Sequence, residues 1–302
     1  ASAENLPQTK VRNILDTTDT TRHGGTEKRG NRGSKRSIYE TDPFTPFIVF
    51  LVTGLFILMA GSVVAADYAY VTNNDNSLTL TAYLGMGGEI VVPNEIEGRA
   101  VTGIGDSAFF EMEGLRRITM PDSVRWIGPN AFLFCHGLES VKLSTNLAQI
   151  GTGAFFECDR LKTIQIPAGT TNVGAGAFVR CISLTEIKVA ASNPAYCDIE
   201  GVLYDKALTT LMQYPCGKAG HLFLPGTVTT VCDRALAYCG ELRNVAFCAG
   251  VTHIGTGTFR SSRKLEGVYF AGDAPTHGAD VFTDVATTVV YRMSGASGWE
   301  TN

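Results

Sequence analysis

Several kinds of chemistry are missing from this 302-residue sequence. There is no C-x-x-C pair and no Cys/His cluster with zinc spacing, which excludes the common zinc modules. The five histidines, His23, His136, His221, His253 and His277, share no motif position. No G-x-S-x-G nucleophile signature is present. Cys135 and His136 are adjacent, and chain neighbours point apart, so they do not form a catalytic pair. Glycine-rich stretches such as GTGAF lack the lysine and the helix context of a phosphate loop. Catalysis needs convergent roles that nothing in this pattern predicts, so the sequence reads as a non-enzyme without a cofactor. Net charge is small, −4. Residues 1–66 carry 8 Lys/Arg against 6 Asp/Glu, leaving 17 against 23, a net of −6, for the rest. That sign argues against nucleic acid and fits a protein partner better.

What is present is a repeat. Ile104, Ile127, Ile150 and Val173 open four copies of one 23-residue sentence, with Phe109, Phe132, Phe155 and Phe178 at one offset and Leu115, Leu138, Leu161 and Leu184 at another. Two further copies open at Val231 and Ile254. A fixed period of this length is the mark of a solenoid, whose function must lie on an open, repeating surface. The second half of each copy, such as Leu115–Ile118–Met120, has the two-residue alternation of a strand with Ile118 and Met120 inward. Successive strands then stack in parallel, and the first half, I-G-x-x-A-F, returns the chain along the other side. Gly105, Gly128, Gly151 and Gly174 point to positive φ or close backbone approach. The phenylalanine column should fill the width of the coil.

Cysteines number 8, and Cys135, Cys158 and Cys181 follow the repeat, with Cys239 at the same offset in a later copy. Met112 and Ser262 fill that offset elsewhere, so it reads as a small buried slot. Cys197, Cys216, Cys232 and Cys248 lie off the slot, and a disulfide among them stays open.

In chain order, residues 1–46 form a polar, basic segment expected to be disordered. Residues 47–66 contain no charge and are long enough to span a bilayer. They are either a removed signal peptide ending at the small residues near Ala65 and Ala66 or an uncleaved anchor. Both readings place residue 67 onward outside the cytoplasm. No cysteine follows closely, which argues against a lipoprotein anchor. Residues 67–103 read as an N-terminal cap that begins with a hairpin. Regular repeats fill 104–189. A hairpin insertion at 190–221 replaces one first half, with VLYDKALTTLMQY as two strands around a turn, and is expected to spare the strand stack. Repeats resume over 222–270, and 271–302 form a C-terminal cap with a last strand at TTVVY and Trp299 as a lid.

The consensus L-x-x-I-x-I-P-x-S-V-x-x-I-G-x-x-A-F-x-x-C, matched position for position by LRRITMPDSVRWIGPNAFLFC at 115–135, resembles the BspA-like leucine-rich repeat family. GGEIVVPNEIEGRAVTGIGDSAF, NPAYCDIEGVLYDKALTTLMQYP and VVYRMSGASGW are similar to that family's opening, insertion and closing segments. Cys248 and Ala271 depart from its proline, and Leu236 from its phenylalanine. The resemblance implies a right-handed repeat solenoid with parallel strands on one face, irregular return loops, β-rich caps and one hairpin insertion. It also implies export to a bacterial surface or periplasm and an adhesin-like role toward host matrix proteins, such as fibronectin, or other cell-surface proteins.

Two surfaces are candidates for that role. The outer strand face carries Arg117, Lys142 and Lys188 among polar neighbours, with Phe223 and Tyr269 as its aromatic bulk. The second is a stripe one residue after the core phenylalanine: Phe110, Leu133, Phe156 and Val179. If the first halves are extended, this stripe forms an exposed apolar ridge suited to a partner or to self-association; if the loop turns, it is tucked inward. The alternatives to an adhesin are a structural or self-assembling envelope protein, or a carrier of a small hydrophobic ligand in a cleft near Tyr204 and Tyr214. Contact with a membrane arises only through residues 47–66.

Overall fold

The computed structural model describes residues 8–11, 63–65, 67–285 and 288–299. Strands and turns make up the described residues, with no helix among them. None there is therefore long and apolar enough to cross a membrane. Most of 1–46 and of the apolar run 47–66 lies outside the described residues. From the first of these segments, Gln8–Val11 pairs antiparallel with Val289–Met293, a pairing that disorder across the whole of 1–46 does not contain. Val63–Ala65, at the end of the second, pairs with Tyr68–Thr72.

Each 23-residue copy makes one coil. On one side, Gly88–Val91, Leu115–Thr119 and Ser140–Lys142 pair in parallel with Ile90, Ile118 and Val141 in register. Thr163–Ile166 and Glu186–Val189 continue the pattern, residue for residue at 23 apart. Alternation then puts Ile118 and Met120 inside and Arg117 outside, while Leu115 is buried ahead of an irregularity in the register that leaves Arg116 outside as well. On the return side, Ile104, Ile127, Ile150 and Val173 stand in a second parallel ladder built from very short strands. The glycine after each aliphatic is required by close approach. A Cβ on Gly174 would lie 2.3 Å from the Thr152 nitrogen. Positive φ falls two residues further on, at Ser107, Asn130, Gly153 and Gly176.

The phenylalanine column fills the coil as expected. Phe109, Phe132, Phe155 and Phe178 are buried, with ring centroids 4.9, 5.0 and 5.7 Å apart. Tyr83 of the N-terminal hairpin continues the stack over Phe109 at 5.6 Å. Beside it runs the cysteine slot. Three slot cysteines donate to the carbonyl of the core aromatic one coil earlier: Cys135 to Phe109, Cys158 to Phe132 and Cys181 to Phe155, at 3.0, 3.3 and 3.0 Å. Ser262 does the same toward Leu236 at 2.6 Å. The slot therefore selects a small donor, because a buried carbonyl without a partner is costly. All eight cysteines are free thiols.

The insertion departs from expectation. Tyr196–Ile199, Val202–Asp205 and Thr210–Gln213 form an antiparallel meander, and its last strand joins Thr230–Val231 in parallel on the return side. The strand stack is not spared. Glu186–Val189 does not pair with Gly220–Phe223; instead Ile187 N–H donates to the Gly201 carbonyl at 2.8 Å and Val189 N–H to Asp198 at 2.8 Å. The hairpin tip takes the hydrogen bonds that the next coil would have used. On the return side, the Tyr196 hydroxyl accepts from Val173 N–H at 3.0 Å. Buried Asn193 fixes the junction, donating to the Pro167 and Thr170 carbonyls and accepting from Ala195 and Tyr196 N–H, all within 2.9 Å.

Strand Val202–Asp205 thus crosses the interior as a partition. Leu203 belongs to the core of the preceding coils, while Val202 and Tyr204 belong to the core of the following ones. Cys216 lies off the slot, as read from sequence, yet it is buried. Tyr214 takes the core-aromatic position, donating its N–H to the Ala235 carbonyl as Phe155 does to Ala177, and the buried Cys216 thiol, like that of Cys239, donates to the Ala237 carbonyl, at 3.4 Å. The C-terminal cap adds Val289–Met293 to the last coil, and the Trp299 ring lies 4.8 Å from Phe270.

Candidate interaction surface

Strand register decides which outward side chains meet. In the N-terminal section the outer columns are Glu89–Arg117–Ser140 and Val91–Thr119–Lys142, followed by Thr163–Glu186 and Gln165–Lys188. This part of the face is polar. Arg117 lies 3.5 Å from Glu89, and Lys188 lies 3.1 Å from Glu186, with all four side chains largely in water. Exposed pairs of this kind contribute little stability. Along the neighbouring rim, Arg116 and Glu139, His136 and Asp159, and Lys264 and Glu241 are again one repeat apart, at 2.9, 2.9 and 2.6 Å.

After the insertion the character changes. The two outer columns become His221–Asn244–Gly267–Val289 and Phe223–Ala246–Tyr269–Tyr291. Phe223 is 69% exposed. Tyr269 and Tyr291 stack with centroids 4.6 Å apart and planes within 5°. A Cβ on Gly267 would meet the Tyr269 ring at 2.8 Å, so the glycine lets that ring lie down on the sheet. Ala246 leaves a gap between Phe223 and Tyr269, which stand two coils, or roughly 9.6 Å, apart at ordinary strand spacing. The Asn244 amide and the His221 ring, 3.1 Å apart, border that gap. Flat aromatic faces beside hydrogen-bonding side chains form the kind of surface that supplies hot spots. Of the strand-face residues named from sequence, Phe223 and Tyr269 share this column, and Arg117, Lys142 and Lys188 sit in the other section. Tyr291 was missed from sequence because the register of the last strand was not fixed there.

The second stripe is not the ridge that extended backbone would give. Val179 is fully buried and Phe156 is 9% exposed, while Phe110 and Leu133 are half-buried. The reason is a tight turn: Phe110 and Phe156 N–H donate three residues back to Ser107 and Gly153, and the next residue has positive φ at Glu111, Phe134, Glu157 and Arg180. The turn tucks part of the stripe inward. It brings out another aromatic, Phe134, whose ring packs edge-on between Phe110 at 5.9 Å and Phe156 at 6.4 Å. Phe134 occupies the following offset, so the stripe did not reveal it.

Tyr204 and Tyr214 line no cleft. Both are core residues, and burial raises both hydroxyl pKa values. Among the described residues, no group of three or more His, Cys, Asp or Glu side chains is placed to hold a metal ion.

The BspA type leucine rich repeat region matches this chain in six copies, over residues 89–199 and 205–288. The chain belongs to that family. Leucine-rich repeats of this kind serve as protein-interaction modules, which suits an open strand face without a catalytic constellation. A leucine-rich repeat protein from Eubacterium ventriosum has the same fold, with a TM-score of 0.50 at 19% identity over 76% of this chain and 78% of its own. A Treponema pallidum leucine-rich repeat protein aligns at 26% identity over 69% of this chain and 85% of its own, with a TM-score of 0.46. One from Bacteroides capillosus aligns at 34% identity over 43% of this chain and 99% of its own, with a TM-score of 0.40. No curated protein matches the sequence.

Proposed function

We propose that this BspA-type protein is an exported module that binds a protein partner on the C-terminal section of its strand face, as an adhesin for host extracellular matrix or cell-surface proteins. The observation that carries this reading is the aromatic column. Phe223, Tyr269 and Tyr291 stand on one face of a sheet whose other section is polar, and such side chains dominate binding energy where they are desolvated by a partner. Arg117, Lys142 and Lys188 then act as a charged approach and contribute little after contact. Export rests on the uncharged run 47–66 with small residues at its end. Mass spectrometry of the mature N-terminus tests the cleavage, and proteolysis of intact cells tests surface exposure.

The binding test is direct. The full chain is measured against immobilised host matrix proteins, fibronectin first. Truncating two hot spots, as in Phe223→Ala/Tyr269→Ala, should weaken saturable binding on the order of 100-fold. Absence of saturable binding, or equal binding by the double variant, removes the reading.

One observation favours a second reading, self-association. The half-exposed Phe110–Phe134 pair is an apolar contact on the opposite edge from the column. Molecular mass followed across concentration, with Phe134→Asp beside wild type, separates the two.

A further inference from the structure

The insertion coil is shorter than its neighbours, and the shortening opens a notch. From the opening aliphatic to the core aromatic is five residues in Ile150–Phe155, Val173–Phe178 and Val231–Leu236, but three in Leu211–Tyr214. The two omitted positions belong to the tight turn that each coil stacks on the next. Their place is a cavity of about 200 Å³ on the return side, bounded above by Val173–Phe178, below by Cys232 and Asp233, and behind by Leu203, Met212 and Gln213.

The turn's hydrogen bonds show what is left open. In the regular coils, Ser107, Asn130 and Gly153 N–H donate to the Pro129, Thr152 and Ala175 carbonyls of the next coil. The carbonyls of Ile104, Ile127 and Ile150 accept from Gly128, Gly151 and Gly174 N–H. Phe109, Phe132 and Phe155 N–H donate to Ala131, Ala154 and Ala177. At the notch, the equivalent Gly176 and Phe178 N–H groups have no main-chain acceptor in the next coil among the described residues. From below, the Asp233 carbonyl, equivalent to Thr152 and Ala175, likewise has no donor there. Two donors and one acceptor of the main chain therefore face one small, partly enclosed space.

We propose that this notch is a binding site for a short peptide, held through its main chain in place of the two missing residues. The peptide's carbonyls accept from Gly176 and Phe178 N–H, and one of its N–H groups donates to the Asp233 carbonyl. The volume corresponds to about seven waters at ~30 Å³ each, enough for the backbone of two residues with small side chains. Recognition by main-chain hydrogen bonds at an open edge is the principle of strand addition, here applied to a single turn. Met212 and Leu203 supply the apolar floor. Cys232, whose thiol lies 3.7 Å from the Met212 sulfur, borders the opening. The site is independent of the strand face, so its failure leaves the proposed function untouched.

The experiment is a titration of the full, ¹⁵N-labelled chain with N-acetylglycinamide, which offers two carbonyls and two N–H-bearing nitrogens. The Gly176 and Phe178 amide resonances should move together and saturate in the millimolar range, as a fragment of this size requires. Acetoxyacetamide, in which an ester oxygen replaces the central N–H, should bind at least about tenfold more weakly, because it leaves a carbonyl unmatched. Inserting Gly-Thr between Met212 and Gln213 restores the length of the turn; it should abolish the shifts and raise the melting temperature. Absence of a saturable shift at Gly176 and Phe178, or equal binding of the ester, overturns the proposal without need of the insertion variant.

Discussion

Cys158 donates its thiol hydrogen to the carbonyl of Phe132, 26 residues earlier and one coil below, at 3.3 Å. The bond ties the column of small slot residues to the column of core rings. It makes the slot a hydrogen-bonding position as well as a space. Cys158→Ser should then stay within about 1 kcal/mol of wild type, since Ser262 fills the equivalent position in the same way. Cys158→Ala should lose about 1–3 kcal/mol, the cost of a buried carbonyl without its donor. Urea unfolding of the two variants side by side measures the difference.

Phe155 lies between Phe132 and Phe178, with its ring within 2° and 10° of theirs. Phe155→Ala should destabilise by about 3–5 kcal/mol. Phe155→Leu should cost less, because Leu236 already holds this position in a later coil without exposure. If the two variants unfold at equal urea concentration, the ring stack contributes nothing beyond filling space.

Burial pushes the Cys135 thiol up to about 12 and raises Cys158 well above its ordinary range. Thiolate is the reactive form. At pH 8 Cys135 and Cys158 should therefore resist alkylation in the native protein, and buried Cys181, Cys216 and Cys239 should resist it because reagent cannot reach them. Labelling should be confined to the half-exposed Cys197, Cys232 and Cys248, and all eight should react after denaturation. Mass spectrometry of the alkylated peptides reads this directly.

Three carboxylates that accept hydrogen bonds should make the fold acid-sensitive. Asp122 is held below the usual range by the Thr145 hydroxyl and N–H, Asp75 by the Ser77 hydroxyl and N–H, and Asp273 by Ser297 N–H. A depressed folded value means stabilisation that is complete above the unfolded value, ~3.9, and is lost as pH falls through the folded one. The urea midpoint should be level from neutral pH to about 5 and decline below about 4. Asp122→Asn should flatten that decline.

Gly267→Ala should disturb the aromatic column with little effect on the core, since the added Cβ would meet only the Asn244 amide and the Tyr269 ring. Tyr269 would be lifted off Tyr291, lowering the near-ultraviolet circular dichroism of the tyrosine pair. Partner binding should fall with it by about tenfold, in line with loss of one hot spot.

The repeat, the ring column and the slot were legible in the sequence because each is a single residue type at a constant offset, and constant offset in a solenoid means vertical contact. Phe223 and Tyr269 were legible as outward aromatics for the same reason. Tyr291 needed the register of a strand beyond the last regular copy. The exposure of Val179 and Phe156 stayed open in the sequence because it depends on the positive φ of the next residue, and Glu157 and Arg180 carry no sequence mark of it. The burial of Cys216 was not legible because its coil is cut short, which puts it out of phase with the slot residues. The insertion's effect on the strand stack depends on Gly201 and Asp198 reaching Ile187 and Val189, contacts with no periodic signal.

Because strand Val202–Asp205 sends Leu203 one way and Tyr204 the other, the apolar core on each side packs mostly within its own set of repeats. The protein behaves like a ship with a bulkhead. A badly filled coil on one side floods mainly that compartment, and the aromatic column beyond the wall keeps its shape.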